Sequence, residues 1–434
     1  MEQLYEIYQS CSGVTTDSRN IQPNCLFIAL RGECFDGNEY AADALAKGAA
    51  YAIIDRPEYA VEGKTILVAD SLKCLQQLAT HHRSQLIIPV LAITGSNGKT
   101  TTKELIREVL SSRYRTHCTK GNFNNHIGLP LTLLDMPTDT EVAVIEMGAN
   151  HQGEIDELCR IARPTHGIIT NIGKAHLEGF GGIEGVKKGK SELYRYLAED
   201  RGLAFVNLDE KWLKDLASPV ANQLWYQKSE APLPENPIYE TQLLETHPSI
   251  RSAFMSLDGE RIEVGSQLMG MYNFNNVMTA ITIGRYFKVP PLSIKQAIES
   301  YEPSNNRSQI LQKGSNTFVL DAYNANPSSV SQALSNFSKM EAACKIAVLG
   351  DMLELGDFSQ SEHQKILQQA ISHNFDDLWL VGELFEGLAE EKNSHIRYFK
   401  NTADLKKWFD QQAIENSTLL LKGSRKIALE KLLD

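Results

Sequence analysis

The run VLAITGSNGKTTTKELI, residues 90–106, constrains the fold more than any other stretch. An apolar strand enters a bend holding Gly95 and Gly98, and Lys99, Thr100 and Thr101 open a helix whose buried stripe would be Leu105, Ile106, Val109 and Leu110. Glycines let backbone N–H groups approach an anion closely, and the helix N-terminus adds partial positive charge. Gly95, Ser96, Asn97, Gly98, Lys99, Thr100 and Thr101 are therefore candidate phosphate contacts, with Lys99 reaching β/γ-phosphate oxygens and the Thr100 hydroxyl ligating Mg²⁺. The common form, G-x-x-x-x-G-K-[ST], would put a glycine where this chain has Ile93, so the loop is a shortened G-x-x-G-K-T. A glycine-rich strand-to-helix turn without a ligand would have the same local pattern.

A chain of 434 residues exceeds what one core accommodates, since single cores stop growing near about 250–300 residues. Three α/β segments are expected. Residues 1–86 alternate short strands (CLFIAL, KTILVAD) with helices; 87–302 carry the opening motif, the strands EVAVIEM and HGIITNIG, and a β-rich stretch near 222–270 with a hairpin turn at Asp258-Gly259. Residues 303–434, after the turn-rich YEPSNNR, alternate again through TFVLDAY, KIAVLG, DLWLVGE and STLLLKG. The fold class is thus α/β: a small N-terminal domain, a central P-loop mononucleotide-binding domain with an accessory β-sheet, and a Rossmann-like C-terminal domain. Charge and cysteines narrow the function. A net charge of −11 argues against broad nucleic-acid or anionic-membrane binding. No apolar run approaches the roughly 18 residues of a membrane helix, and the N-terminus has no export-signal pattern, so a cytoplasmic protein is expected. Seven scattered cysteines without a C-x-x-C pair suggest small core residues rather than a disulfide framework or zinc site.

A nucleotide–Mg²⁺ site also needs carboxylates at the carboxyl ends of neighbouring strands. Glu146 closes EVAVIEM and meets that requirement, although a solvated strand end is the simpler alternative. His176, in NIGKAHLEGFG, follows a buried-type strand and is a candidate for a second metal; a lone loop histidine is more often surface.

Together these motifs resemble the Mur ligases, ATP-dependent amide ligases of cytoplasmic peptidoglycan precursor synthesis. The segments KGNFNNHIGLPLTLL (120–134), EMGANHQGEI (146–155) and VLGDMLELGDFSQSEH (348–363) are similar to the branch that adds the last dipeptide. The resemblance implies ligation of D-alanyl-D-alanine to a UDP-N-acetylmuramoyl-tripeptide, by a monomer, with ATP and two Mg²⁺. It assigns the UDP end to the first domain, through TTDSR and LRGECFDGN, with Ser18 and Arg19 as nominees; unaided, these read as turns. Asn122, Asn124 and Asn125 match the substrate segment. Lys190 falls at the family's carbamylated lysine, where the usual preceding alanine is Gly189, and would act as a metal-holding carboxylate; by itself it is a solvated helix lysine. Asn276 matches an adenine contact and Arg307 a nucleotide-contacting arginine, preceded here by Asn306 rather than glycine. Asp321, Tyr323, Asn324 and Asn326 would close over the nucleotide, while Asn326 could equally be a helix cap. LKGSRK (421–426) and the GDMLELG loop would wall the dipeptide.

The implied chemistry has two steps. A substrate carboxylate attacks the γ-phosphate to give an acyl phosphate, and the dipeptide amine then displaces phosphate. Lys99, Glu146, His176 and Lys190 are the catalytic candidates, and Thr100, Glu146, His176 and Lys190 the metal-holding ones. Three other readings stay open: a folylpolyglutamate-type ligase, a P-loop switch or motor, and a nucleotide-binding module without catalysis.

Overall fold

A computed structural model describes residues 1–230, 239–247, 249–303, 307–388 and 395–434, so residues 304–306 of the expected YEPSNNR linker lie outside the described residues. Three sheets organise the chain. The first is parallel and unshuffled, in the order Val14–Thr15, Leu26–Ile28, Tyr51–Ile54, Thr65–Leu67. Its last helix, Ser71–Ser84, starts where the Asp70 carboxylate accepts the Lys73 N–H at 2.9 Å, an ordinary N-cap. The same helix buries Leu75 and Leu78 in a core shared with Leu129, Leu133, Ile155 and Leu158 of the central region. Arg83, near its end, donates to the carbonyls of Ala162 (2.9 Å) and Arg163 (3.1 Å), satisfying the C-terminus of the helix Glu154–Ala162. The N-terminal unit is thereby anchored to the central one.

The central sheet has nine strands in the order Arg261–Gly265, Arg251–Met255, Glu240–Glu245, Asn222–Ser229, Leu203–Asn207, His166–Ile169, Val90–Thr94, Val142–Glu146, Thr116–Cys118. Val90–Thr94 and Val142–Glu146 are buried at every position, as parallel strands covered on both faces must be. The β-rich stretch continues the edge of this sheet: Asn222–Ser229 pairs in parallel with Leu203–Asn207 on one side and Glu240–Glu245 on the other, and two antiparallel pairings follow. The Asp258-Gly259 turn joins the last of them, with Gly259 at φ +83°.

The third sheet runs Gln309–Lys313, Asn316–Leu320, Thr418–Lys422, Lys345–Gly350, Asp377–Val381, Ile396–Phe399, parallel except for its first strand. All seven cysteines are free; Cys25, Cys74, Cys118 and Cys159 are buried as expected, but Cys34 is exposed. Among the described residues no helix is long and apolar enough to cross a membrane.

Candidate active site between two parallel sheets

The carboxyl ends of the central and C-terminal sheets face one cleft of about 740 Å³, the position at which open α/β sheets take ligands. Residues 96–101, Glu146, His176, Asn276, Arg307, Asp321, Tyr323, Asn324 and Asn326 line it, together with Asn122, Asn124 and Asn125. Ser18 and Arg19 do not. Arg19 is exposed and forks onto Asp17 at 2.8 and 2.9 Å, and the Ser18 carbonyl accepts the Lys47 ammonium at 3.0 Å.

The loop owes its shape to two glycines. Gly95 has φ +139°, and a Cβ there would meet the Thr170 hydroxyl at 2.0 Å; Gly98 has φ +79°, and its Cβ would meet Asn276 Oδ1 at 2.6 Å. Residues after His166–Ile169 hold the loop: Ser96 N–H donates to Asn171 O (3.0 Å), Asn97 N–H donates to Asn171 Oδ1 (3.0 Å), and Ser96 Oγ bonds both polar groups of Gly173. Helix Lys99–Ser111 opens into the cleft with its first-turn N–H groups lacking intrahelical partners, an arrangement suited to phosphate. Lys99 Nζ donates to Gly95 O (2.8 Å) and Ser96 O (3.3 Å). Burial holds its ammonium below the usual lysine range, against the attraction of Glu146 and with repulsion from Arg307.

Glu146 is 1% exposed. Its Oε1 accepts the Thr100 hydroxyl at 3.3 Å and Asn124 Nδ2 at 2.8 Å, while Oε2 has no hydrogen-bond partner. A buried carboxylate that turns its Oε1 to the loop threonine at the lip of the cleft fits a hard cation. Asn124, expected on substrate, thus holds this carboxylate. Asn125 Oδ1 instead caps helix Gly128–Leu134 through Gly128 N–H at 2.9 Å, and Asn122 is exposed on the cleft wall. Asn276 backs the loop: its Oδ1 accepts the Thr102 hydroxyl at 3.0 Å and its Nδ2 donates to Asn273 at 2.9 Å.

His176 and Lys190 stand apart from this pair. His176, at φ +52°, puts Nδ1 2.6 Å from Glu354 Oε2, a close contact without hydrogen-bond alignment, and the histidine holds the Glu354 carboxyl below the usual range. Lys190 is 1% exposed and donates to Ala149 O at 3.1 Å. Burial, with the Lys99 charge nearby, drives its ammonium far below the usual lysine range. Gly189 has a steric cause, since a Cβ there would sit 2.4 Å from the Phe180 ring. Among the described residues no three His, Cys, Asp or Glu side chains cluster as a preformed metal site.

The C-terminal domain closes the cleft through bonds no local motif announces. Asn326 both caps helix Pro327–Ser338, accepting Ser329 N–H at 2.9 Å, and donates to Asn97 Oδ1 at 2.7 Å, so the cap also reaches the phosphate loop. Lys174 N–H donates to Ser328 Oγ at 2.9 Å, and its ammonium grips both oxygens of Glu362 at 2.8 and 2.9 Å. Arg307 stacks 3.7 Å from the Tyr323 ring centre, Arg425 lies 5.1 Å from it, and Lys422 pairs with Asp321 at 3.0 Å. Asn171 and Lys174 belong to no motif; their signal is the polar run after HGIIT, abutting the loop strand, while Glu354 lies in the GDMLELG loop expected to wall the dipeptide.

A shortened phosphate loop at the carboxyl edge of one parallel sheet region, closed by a second doubly wound domain and preceded by a small α/β unit, defines a three-domain P-loop nucleotide-binding protein. Three family models match in succession: the Mur ligase family catalytic domain over 10–83, the Mur ligase middle domain over 93–284, and the Mur ligase glutamate ligase domain over 306–425. The UDP-N-acetylmuramoyl-tripeptide–D-alanyl-D-alanine ligase of Bacillus subtilis (strain 168) is 35% identical over 97% of this chain and 92% of its own, and that of Escherichia coli (strain K12) 32% identical over 96% and 92%. A crystal structure of MurF from Acinetobacter baumannii superposes with TM-score 0.86 at 30% identity, covering 100% of this chain and 97% of that one. MurF from Thermotoga maritima, in complex with ADP, gives 0.83 at 25% identity over 98% and 97%. The chain belongs to the Mur ligase family.

Proposed function

We propose that this chain is an ATP-dependent amide ligase that joins D-alanyl-D-alanine to the peptide carboxyl of a UDP-N-acetylmuramoyl-tripeptide. The observation that carries the reading is the end-to-end likeness to ligases named for that reaction. Segments 1–86, 87–302 and 303–434 act as the UDP-binding, ATP-binding and dipeptide-side domains. Ser18, Arg19 and the loop 30–38 receive the UDP end.

The residues divide the work by charge. The amino end of helix Lys99–Ser111 and the Lys99 ammonium grip the triphosphate, and Lys99 offsets charge on the phosphoryl group as the peptide carboxylate attacks it. Asp321, Tyr323, Asn324, Asn326 and Arg307 bring the C-terminal domain down on the nucleotide, and LKGSRK (421–426) with the GDMLELG loop wall the dipeptide so that its amine reaches the acyl carbon. Closure excludes water, which would otherwise hydrolyse the acyl phosphate. Thr100 and Glu146 would hold Mg²⁺, and His176 and Lys190 would hold a second ion. Bound Mg²⁺ supplies Lewis-acid neutralisation of the phosphate oxygens. Lys190 would carry a carbamate: burial lowers the pKa of its ammonium and so favours the neutral amine that captures CO₂, and the product would be a carboxylate on a long arm. The Phe180 ring leaves no room for a side chain at Gly189 on the same helix.

Phosphate release from ATP, measured with each substrate alone and with both, tests the function. Release should require UDP-N-acetylmuramoyl-tripeptide and D-alanyl-D-alanine together; equal release without either one would leave a simple NTPase. Lys99→Ala should abolish ligation while binding of the UDP substrate persists. A ¹³C resonance of a lysine carbamate from labelled bicarbonate, lost in Lys190→Ala, checks the modification.

A further inference from the structure

Lys103 is a lysine with no exposed surface, on the first turns of the loop helix, and the ligation chemistry gives it no task. Its ammonium donates to Thr119 O at 2.6 Å, pairs with Glu104 at 2.9 Å, and lies 3.8 Å from Glu146 Oε2. That oxygen is the one with no hydrogen-bond partner; the other faces Thr100 and Asn124. Glu146 therefore has two sides, a cleft side that meets the loop threonine and an inner side that meets a fixed cation. Thr119 completes the enclosure, since its hydroxyl accepts the Glu146 N–H at 2.9 Å while its carbonyl holds Lys103.

We propose that Lys103 is a positioning residue that sets the metal affinity of the site: an internal counter-ion sharing the Glu146 carboxylate with the metal on its other side. The inference rests on the reading of Glu146 as a metal-holding carboxylate. Two cations on one buried carboxylate compete through a medium far less polar than water, so the lysine tempers the grip on the metal. Glu104 adjusts this competition. It draws charge from Lys103 and is itself held by Arg107 at 3.2 Å.

Lys103 and its acidic neighbour Glu104 give variants of opposite sign. Lys103→Gln keeps a donor for Thr119 O but removes the charge, and should tighten Mn²⁺ binding to the ADP-saturated protein about tenfold or more. Glu104→Gln leaves Lys103 more fully on Glu146, and should loosen it several-fold. Free Mn²⁺ is followed by electron paramagnetic resonance, with ADP affinity in EDTA and thermal melting measured alongside. A merely structural lysine predicts weaker Mn²⁺ binding in Lys103→Gln together with lost ADP affinity, and that result overturns the proposal. Should Lys103→Gln not fold, Glu104→Gln decides alone: unchanged or tighter Mn²⁺ binding overturns it. A wild type that binds Mn²⁺ with ADP but is unmoved by either substitution removes this inference only, whereas a wild type without ADP-dependent Mn²⁺ binding removes the metal reading of Glu146 as well.

Discussion

At Gly98 the backbone and its surroundings both demand the absence of a side chain. The residue sits at φ +79° as the N-cap of the loop helix, and a Cβ would lie 2.6 Å from Asn276 Oδ1. Gly259 shares the conformation, φ +83°, with nothing within 4 Å. The pair separates strain from collision. Gly259→Ala should cost about 1 kcal/mol of stability and leave nucleotide binding intact, because only the left-handed backbone penalty applies. Gly98→Ala should also push Asn276 off Thr102 and Asn273, lowering nucleotide affinity at least about tenfold; calorimetric titration with ADP against both variants checks this. The loop was legible in the sequence because its information is local: strand, glycines, lysine and helix follow one another. Glu146 was legible for a related reason, since a carboxylate closing an apolar strand is conspicuous. Lys103 and Lys174 were not. A lysine in a helix or loop looks like ordinary surface, and what makes these two different is a partner strand or domain far away in the chain. The three asparagines of the GNFNN segment were recognisable as a group, but only the fold separates Asn124, on Glu146, from Asn125, on a helix cap.

The elements followed from hydrophobic pattern wherever burial is complete on both faces, as in Val90–Thr94 and Val142–Glu146, or nearly so, as in Lys345–Gly350. Sheet continuity did not follow, because the alternation of Asn222–Ser229 is the same whether its neighbour is Leu203–Asn207 or another sheet. His166 shows what such packing does to a polar residue at a strand start. Its ring contacts Thr165 Oγ1 at 2.8 Å and Tyr286 OH at 3.1 Å and stacks on Phe205, and burial lowers its pKa from 6.5 to about 4. Above pH 6.5 neither folded nor unfolded chain protonates this histidine. Between 6.5 and 4 the unfolded chain takes up the proton and the folded one resists, so stability falls with pH across that window and levels below it. The full shift corresponds to about 3 kcal/mol, and partial exposure of the ring reduces it to about 2. Urea melts at pH 7 and pH 4.5 should therefore differ by less in His166→Phe than in the wild type. An equal loss in both would assign the acid sensitivity to the other buried histidines, His82, His117 and His363.

On the scale of the whole molecule, the site exists only because two sheets present their carboxyl ends to one another. Few bonds hold that arrangement at the phosphate loop. Asn326 reaches Asn97, Ser328 accepts the Lys174 N–H, and Lys174 clamps Glu362, which is 5% exposed and also binds Lys365 at 2.8 Å. The pair is bidentate and its Glu362 carboxylate is buried, so the loss of the lysine would leave a shielded charge with only Lys365 beside it. Lys174 projects from the loop that also carries His176, which ties domain approach to the Glu354 contact. Lys174→Met should leave ADP affinity within about threefold, because the phosphate loop and its helix belong to the central domain alone. It should lower kcat at least about tenfold, because the dipeptide wall and the nucleotide cover arrive together with the C-terminal domain. Small-angle scattering of the ADP-bound variant should show a larger radius of gyration than the wild type. If kcat falls while the radius of gyration stays unchanged, Lys174 acts on the chemistry directly and the clamp is not what closes the cleft. If both move, and Glu362→Gln reproduces them without adding to Lys174→Met in the double variant, the two side chains act as one closing device.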